Sequence, residues 1–127
     1  MADTPVVCIV DDDESVRVSL RTLARSLGYA AHAFDSAEAY LASPQATATD
    51  CLISDVQMPN MGGVELQRAL IDRGAPPPMI FITAFPHDRV RKQVLDAGAV
   101  CLLIKPWDGE HLIDCIGKAI AKGRPGG

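Results

Sequence analysis

Four apolar runs in this chain each end in a side chain with chemistry to offer. Val6-Val7-Cys8-Ile9-Val10 runs into Asp11-Asp12-Asp13, and Cys51-Leu52-Ile53-Ser54 ends in Asp55. Met79-Ile80-Phe81-Ile82 ends in Thr83-Ala84, and Cys101-Leu102-Leu103-Ile104 ends in Lys105-Pro106. Short runs that are apolar throughout, rather than alternating, read as parallel strands covered on both faces. In open α/β sheets the site lies outside the carboxyl ends of the strands. The four segments therefore converge on one pocket with carboxylates, a hydroxyl and an ammonium. That donor set suits a magnesium ion beside a carboxylate that can be phosphorylated.

Between the strands the period changes to that of a helix. Val16, Leu20, Leu23, Ala24 and Leu27 share one helical face, with Arg17, Arg21 and Arg25 on another, and Gly28 stops the helix. Tyr29 to Phe34 is a fifth, short strand. Asp35 or Ser36 caps the next helix, and Asp35-x-x-Glu38 resembles a capping box. Gln45 to Asp50 is a loop. Val64 to Arg73 is a helix closed by Gly74, and Pro76-Pro77-Pro78 is a stiff connector. Asp88 to Ala97 is a charged helix stopped by Gly98. Asp108 to Lys122 is the last helix, with Leu112, Ile113, Ile116 and Ile120 facing inward. Strict alternation of five strands and five helices predicts a flavodoxin-like, doubly wound (βα)5 fold around a five-stranded parallel sheet. One domain over residues 1–122 is expected, with 123–127 a disordered tail or the start of a linker.

The chain has 127 residues, of which 48% are hydrophobic, enough for one core. Its net charge of −4 and the lack of a Lys/Arg run argue against nucleic-acid binding by this domain. No stretch reaches the length of a membrane span, and the N-terminus lacks a basic start with an apolar segment behind it, so a cytoplasmic location is expected. Cys8, Cys51, Cys101 and Cys115 form no C-x-x-C pair. They read as small buried hydrophobes in a reducing compartment, without a zinc or redox role.

Each constellation also has a plainer reading. Asp12 or Asp13 would serve as a helix cap, although this does not explain Asp55 arriving at the same sheet edge. Thr83 alone is a β-favouring residue. Lys105 alone would be a surface lysine, but Lys105-Pro106 suits a tight, cis-capable turn that aims the ammonium inward. Gly62-Gly63 permits a positive-φ loop beside Asp55, or simply begins a helix. Trp107 is expected half-buried against the last helix. His32, His87 and His111 have no metal spacing and receive no role.

Taken together, Ile-Val-Asp11-Asp12-Asp13, Asp55-x-x-Met58-Pro59-x-x-Gly62-Gly63, Thr83-Ala84 and Lys105-Pro106-Trp107 resemble the response-regulator receiver domain of two-component signalling. The resemblance runs from Val6 to about Lys122. Ser36-Ala37-Glu38 and the loop from Asp55 to Gly63 look most like the FixJ-type group. The resemblance implies a CheY-like fold and assigns roles by position. Asp55 would be the phosphoacceptor, Asp12 a direct Mg2+ ligand, and Asp11 a ligand acting largely through water. Gln57 would lend its backbone carbonyl to the metal. Thr83 would donate to the phosphoryl oxygen and Lys105 would pair with it. Gln57 and Phe85 occupy the two positions that usually tune self-hydrolysis in this family.

The implied partners are a sensor histidine kinase or phosphotransfer protein and a phosphorylation-dependent homodimer. The face made by Asp88–Ala97, Cys101–Ile104 and Asp108–Lys122 would carry the signal, controlling transcription where an output domain exists. The chain would be no enzyme beyond catalysing its own phosphorylation and dephosphorylation. It departs from the family at Leu102, where a Tyr or Phe usually acts as the switch, and Pro86 stiffens the loop after Thr83. A haloacid-dehalogenase-type enzyme would need a second acid where Gln57 stands. A flavin mononucleotide binder would not place Asp11-Asp12-Asp13 where a phosphate must sit. A receiver-like module working without phosphorylation would typically lack one of the pocket residues.

Overall fold

The strands of the sheet lie in the order β2-β1-β3-β4-β5, and every neighbouring pair is parallel. The structure, a computed structural model, describes residues 4–123. Its elements are β1 (Val6–Val10), α1 (Glu14–Ser26), β2 (Ala30–Phe34), α2 (Ala37–Leu41), β3 (Cys51–Asp55), α3 (Gly63–Asp72), β4 (Met79–Thr83), α4 (Asp88–Asp96), β5 (Cys101–Ile104) and α5 (Gly109–Gly123). The expected doubly wound sheet is what forms. The chain leaves β1 toward one edge at β2, then crosses back to lay β3 on the other side of β1. The loops leaving β1 and β3 therefore part in opposite directions and open a crevice between them. Asp11-Asp12-Asp13 and Asp55 stand at that crevice.

Burial explains why the strands lack alternation. All five residues of both β3 and β4 are buried. Val7, Ile9, Ile53, Ile80 and Ile82 pack on one face with Leu20 and Ala24 of α1 and Leu112, Cys115 and Ile116 of α5. Cys8, Val10, Leu52, Phe81 and Leu102 pack on the other with Tyr40 of α2, Leu66 and Leu70 of α3, and Val94 of α4. Helices cover both faces, so neither face calls for polar residues.

Helix ends follow local chemistry. Asp13 caps α1, its carboxylate accepting from the Ser15 backbone N–H at 2.9 Å. Gly28 ends α1 at φ +92°, a conformation that costs glycine little. Ser36, rather than Asp35, caps α2 by accepting from Ala39 N–H at 3.1 Å. With the cap one residue later, Glu38 stands too early to complete the box expected from Asp35. The reciprocal glutamate contact appears at α3 instead, where Gly62 N–H donates to Glu65 Oε1 at 2.9 Å.

Several expectations need correction. Ile113 is 39% exposed, while Cys115 and Ala119 take inward positions beside Leu112, Ile116 and Ile120. The loop from Gln45 to Asp50 begins inside a short 3-10 turn, Pro44–Thr47. Gly123 is the last residue of α5 rather than the first of a tail, and 124–127 lie outside the described residues. Cys101 of β5 and Cys115 of α5 are joined as a disulfide, with Cα atoms 6.4 Å apart. The reading of four reduced thiols therefore holds only for Cys8 and Cys51, which are free and buried. Burial pushes those two thiols up to about 11 and about 12, where they are poor nucleophiles. No helix among the described residues is long and apolar enough to cross a membrane.

Candidate functional site

The strand ends deliver the expected side chains to one place. Carboxylate oxygens of Asp11, Asp12 and Asp55 all lie within 4.8 Å of one another. Asp11 is 1% exposed and Asp55 6%, whereas Asp12 is open to solvent. Lys105 reaches across from the end of β5. Its ammonium donates to Asp55 Oδ2 at 2.9 Å and to Asp11 Oδ2 at 3.3 Å. The Lys105-Pro106 peptide bond is cis, as the sequence allowed.

The electrostatics follow from this crowding. Burial raises the Asp11 carboxyl above its ordinary value, and the nearby Asp55 charge pushes the same way. The Asp13 N–H and Lys105 oppose the rise without cancelling it. Burial pulls the Lys105 ammonium down, but the hydrogen bond to Asp55 and the charges of Asp11 and Asp55 outweigh it, leaving it raised. Lys105 is therefore a fixed positive charge in the neutral range. It offsets part of a three-carboxylate cluster that would otherwise repel itself.

Backbone and neighbouring groups hold the cluster in shape. Asp13 N–H donates to Asp11 Oδ1 at 2.9 Å, and Gln57 N–H donates to Asp55 Oδ1 at 3.0 Å. Arg17 on α1 donates from its guanidinium to the Asp11 carbonyl at 2.8 Å. Thr83 at the end of β4 is 1% exposed and donates to the Gln57 side-chain Oε1 at 2.8 Å. The contacts of Arg17 and of the Gln57 side chain escaped sequence reasoning, because each partner comes from a different loop or a backbone group.

The loop after Asp55 works by close approach. Gly62 has φ −86°, so it does not supply the positive φ expected of the pair; Asn60 does, at φ +68°. A Cβ on Gly63 would run into the Asp55 carbonyl oxygen and would sit 3.0 Å from the Phe81 ring. Glycine there lets α3 begin directly against the strand that ends in Asp55.

Leu102 is 8% exposed and packs in the α2–α3–α4 core. Phe85 is 67% exposed, and its backbone N–H donates to Thr83 Oγ1 at 3.0 Å. Trp107 is half-buried against the α1–α5 core.

The residues fit a magnesium ion. The donor set is all oxygen, and three converging carboxylates with one side open leave coordination positions for water. A soft or nitrogen-seeking metal would find no sulfur or imidazole in this cluster.

Residues 7–117 match the family model described as the response regulator receiver domain. The chain is 36% identical over 118 residues to the transcriptional regulatory protein TdiR of Thauera aromatica, covering 93% of this chain and 52% of that protein. It is 38% identical over 113 residues to the transcriptional regulatory protein FixJ of Rhizobium meliloti, covering 89% of this chain and 55% of that protein. The chain thus spans about half the length of the curated relatives it matches. Among solved structures, the response regulator StyR superposes with a TM-score of 0.88 at 36% identity, over 95% of this chain and 61% of that one. The structure titled FixJ-N superposes with a TM-score of 0.82 at 38% identity, over 94% and 95% of the two chains.

Proposed function

Because the chain belongs to the response regulator receiver family, whose members are signalling phosphoacceptors of two-component systems, we propose that Asp55 accepts a phosphoryl group from a phospho-histidine donor. The donor would be a sensor histidine kinase or a phosphotransfer protein. One observation carries the assignment: Asp55 is the carboxylate that bonds Lys105 at 2.9 Å while lying within reach of Asp11 and Asp12. A nucleophile in a phosphoryl transfer needs positive charge beside it, since the developing charge spreads over the transferred oxygens. Lys105 supplies one fixed charge. Bound Mg2+ would supply the other, neutralising phosphoryl oxygens. Asp12, Asp55 and the Gln57 carbonyl would hold the ion directly, and Asp11 largely through water. Thr83 would then donate its hydroxyl to a phosphoryl oxygen. Residues 1–122 would act as one receiver unit in the cytoplasm, controlling transcription where an output domain exists. The domain would catalyse only its own phosphorylation and dephosphorylation.

Adding Mg2+ tests the site. The ion binds the folded cluster and not the unfolded chain, so it raises the melting temperature by mass action. The gain is about 1.4 kcal/mol when free Mg2+ is about ten times its Kd. Asp12→Ala is expected to abolish the gain and Asp55→Asn to reduce it. An undiminished shift in Asp12→Ala, followed by calorimetry, would place the ion elsewhere.

Turnover of the phosphoryl group should be slow. Hydrolysis needs a water in line with the phosphorus, and Phe85 sets a large apolar surface just beyond Thr83. Phe85→Ala is expected to speed decay of the labelled protein several-fold in Mg2+. An unchanged or slower decay would remove Phe85 from the account.

The signal would leave through α4, β5 and α5, which adjoin Thr83 and Lys105. Ile104 and Ile113 are 48% and 39% exposed there, among Arg89, Arg91, Lys92, Asp96 and Asp114. Lys92–Asp96 and Lys118–Asp114 form exposed pairs at 2.7 and 3.1 Å, which solvent screens. Exposed apolar side chains on elements that also carry exposed charges suit a salt-sensitive homodimer. Leu102 would have to serve this face without the aromatic swing usual in the family. Sedimentation with beryllofluoride and Mg2+ should show a dimer that weakens with salt. A monomer at every concentration would contradict that use of the face.

A further inference from the structure

The hydroxyl that a phosphoryl group would recruit is already committed. Thr83 Oγ1 has a single proton, and it is donated to Gln57 Oε1 at 2.8 Å. One of the oxygen's acceptor positions is taken by the Phe85 N–H at 3.0 Å. The register explains the meeting. Asp55 pairs with Ile82 across β3 and β4, so Thr83, the last residue of β4, stands beside the chain as it leaves β3 toward Gln57. Gln57 is also tied to the acceptor itself, its N–H donating to Asp55 Oδ1 at 3.0 Å. One residue thus bonds Asp55 through its backbone and Thr83 through its side chain.

We propose that the Gln57 side chain is a positioning residue that holds Thr83 in its resting arrangement, so that a phosphoryl group on Asp55 must take the Thr83 proton away from it. This rests on Asp55 being the phosphoacceptor. A hydroxyl donated to a charged phosphoryl oxygen makes a stronger bond than one donated to a neutral amide oxygen. The exchange therefore runs toward the phosphorylated arrangement, but by less than if Thr83 were free. Gln57 sets how far the resting state is favoured, through a bond that no carboxylate or metal shares.

Binding of beryllofluoride with Mg2+ to the whole chain, measured by calorimetry, tests this in a double-substitution cycle. Gln57→Met keeps the length of the side chain and removes the acceptor. It is expected to tighten beryllofluoride binding about fivefold, the worth of one neutral hydrogen bond. In a Thr83→Val background the same substitution is expected to change nothing, because there is no proton to release. Gln57→Ala should behave as Gln57→Met does, and since Gln57 is exposed both should fold. Weaker or unchanged binding in Gln57→Met overturns the latch. So does an equal change in both backgrounds, which would mean that Gln57 acts on the site without acting through Thr83. In either case the wild type still binds beryllofluoride and the phosphoacceptor reading stands. Failure of the wild type to bind it at all would overturn both.

Discussion

Asp55→Asn is expected to abolish phosphoryl labelling while leaving a folded protein. The amide keeps the size of the side chain and the strand-end position, but it loses the anionic oxygen that attacks phosphorus. It also loses the carboxylate end of the 2.9 Å bond to Lys105, which keeps Asp11 at 3.3 Å as its partner. Incubation with acetyl phosphate and Mg2+, read by intact mass, should add one phosphoryl group to the wild type and none to the variant. Stability should move the other way. Asp11, Asp12 and Asp55 repel one another in the absence of a cation, and removing one charge relieves the other two. Without Mg2+ the variant should melt at or above the wild type. Labelling of Asp55→Asn to the wild-type extent would move the acceptor to another residue.

Gly63→Ala should be the most damaging single-methyl change near the site. The new Cβ meets the Asp55 carbonyl oxygen, the Val56 Cα and the Phe81 ring. The first two are backbone at the end of a fully buried strand, and Phe81 is itself buried in the core. None can swing aside as the end of a flexible side chain would. The expected loss is about 3 kcal/mol in denaturant unfolding, at the upper end of what overpacking costs. The loss should come with weaker Mg2+ binding, because α3 must back away from Asp55. Gly117→Ala is the internal contrast. Gly117 lies exposed in the middle of α5 with nothing near its would-be Cβ, so the change should stabilise by about 0.8 kcal/mol. Equal effects at the two positions would show that crowding against Asp55 is not why glycine stands at 63.

Much of this was legible because parallel strands hide their chemistry at one end. A buried run such as Cys51–Asp55 tells where the strand stops, and the fold then fixes the side of the sheet on which its last residue stands. Asp11, Asp55, Thr83 and Lys105 needed no further information to be brought together. What the chain did not disclose depends on contacts between elements. The Gly62-Gly63 pair reads equally as a positive-φ loop or an ordinary helix start; α3 does begin at Gly63, but only the position of that helix against Asp55 shows why its first residue is glycine. On α5 the large Ile113 drew attention, yet the inward face runs through Leu112, Cys115, Ile116, Ala119 and Ile120, two of them too small to signal burial by themselves. The pairing of Cys101 with Cys115 depends on how α5 lies across β5, which a separation of 14 residues does not reveal. The Gln57 side chain found Thr83 on the next strand, and an isolated glutamine in a loop carries no mark of that.

Signalling by this domain turns on where the phosphoryl group goes. An acyl phosphate on an aspartate is reduced by borohydride at the carbonyl carbon, which leaves a permanent mark on the residue that carried it. Wild-type protein phosphorylated in Mg2+, reduced and mapped by peptide sequencing should carry that mark at Asp55, and at no residue when Mg2+ is chelated. A mark on Asp11 or Asp12, or labelling that survives chelation, would contradict it.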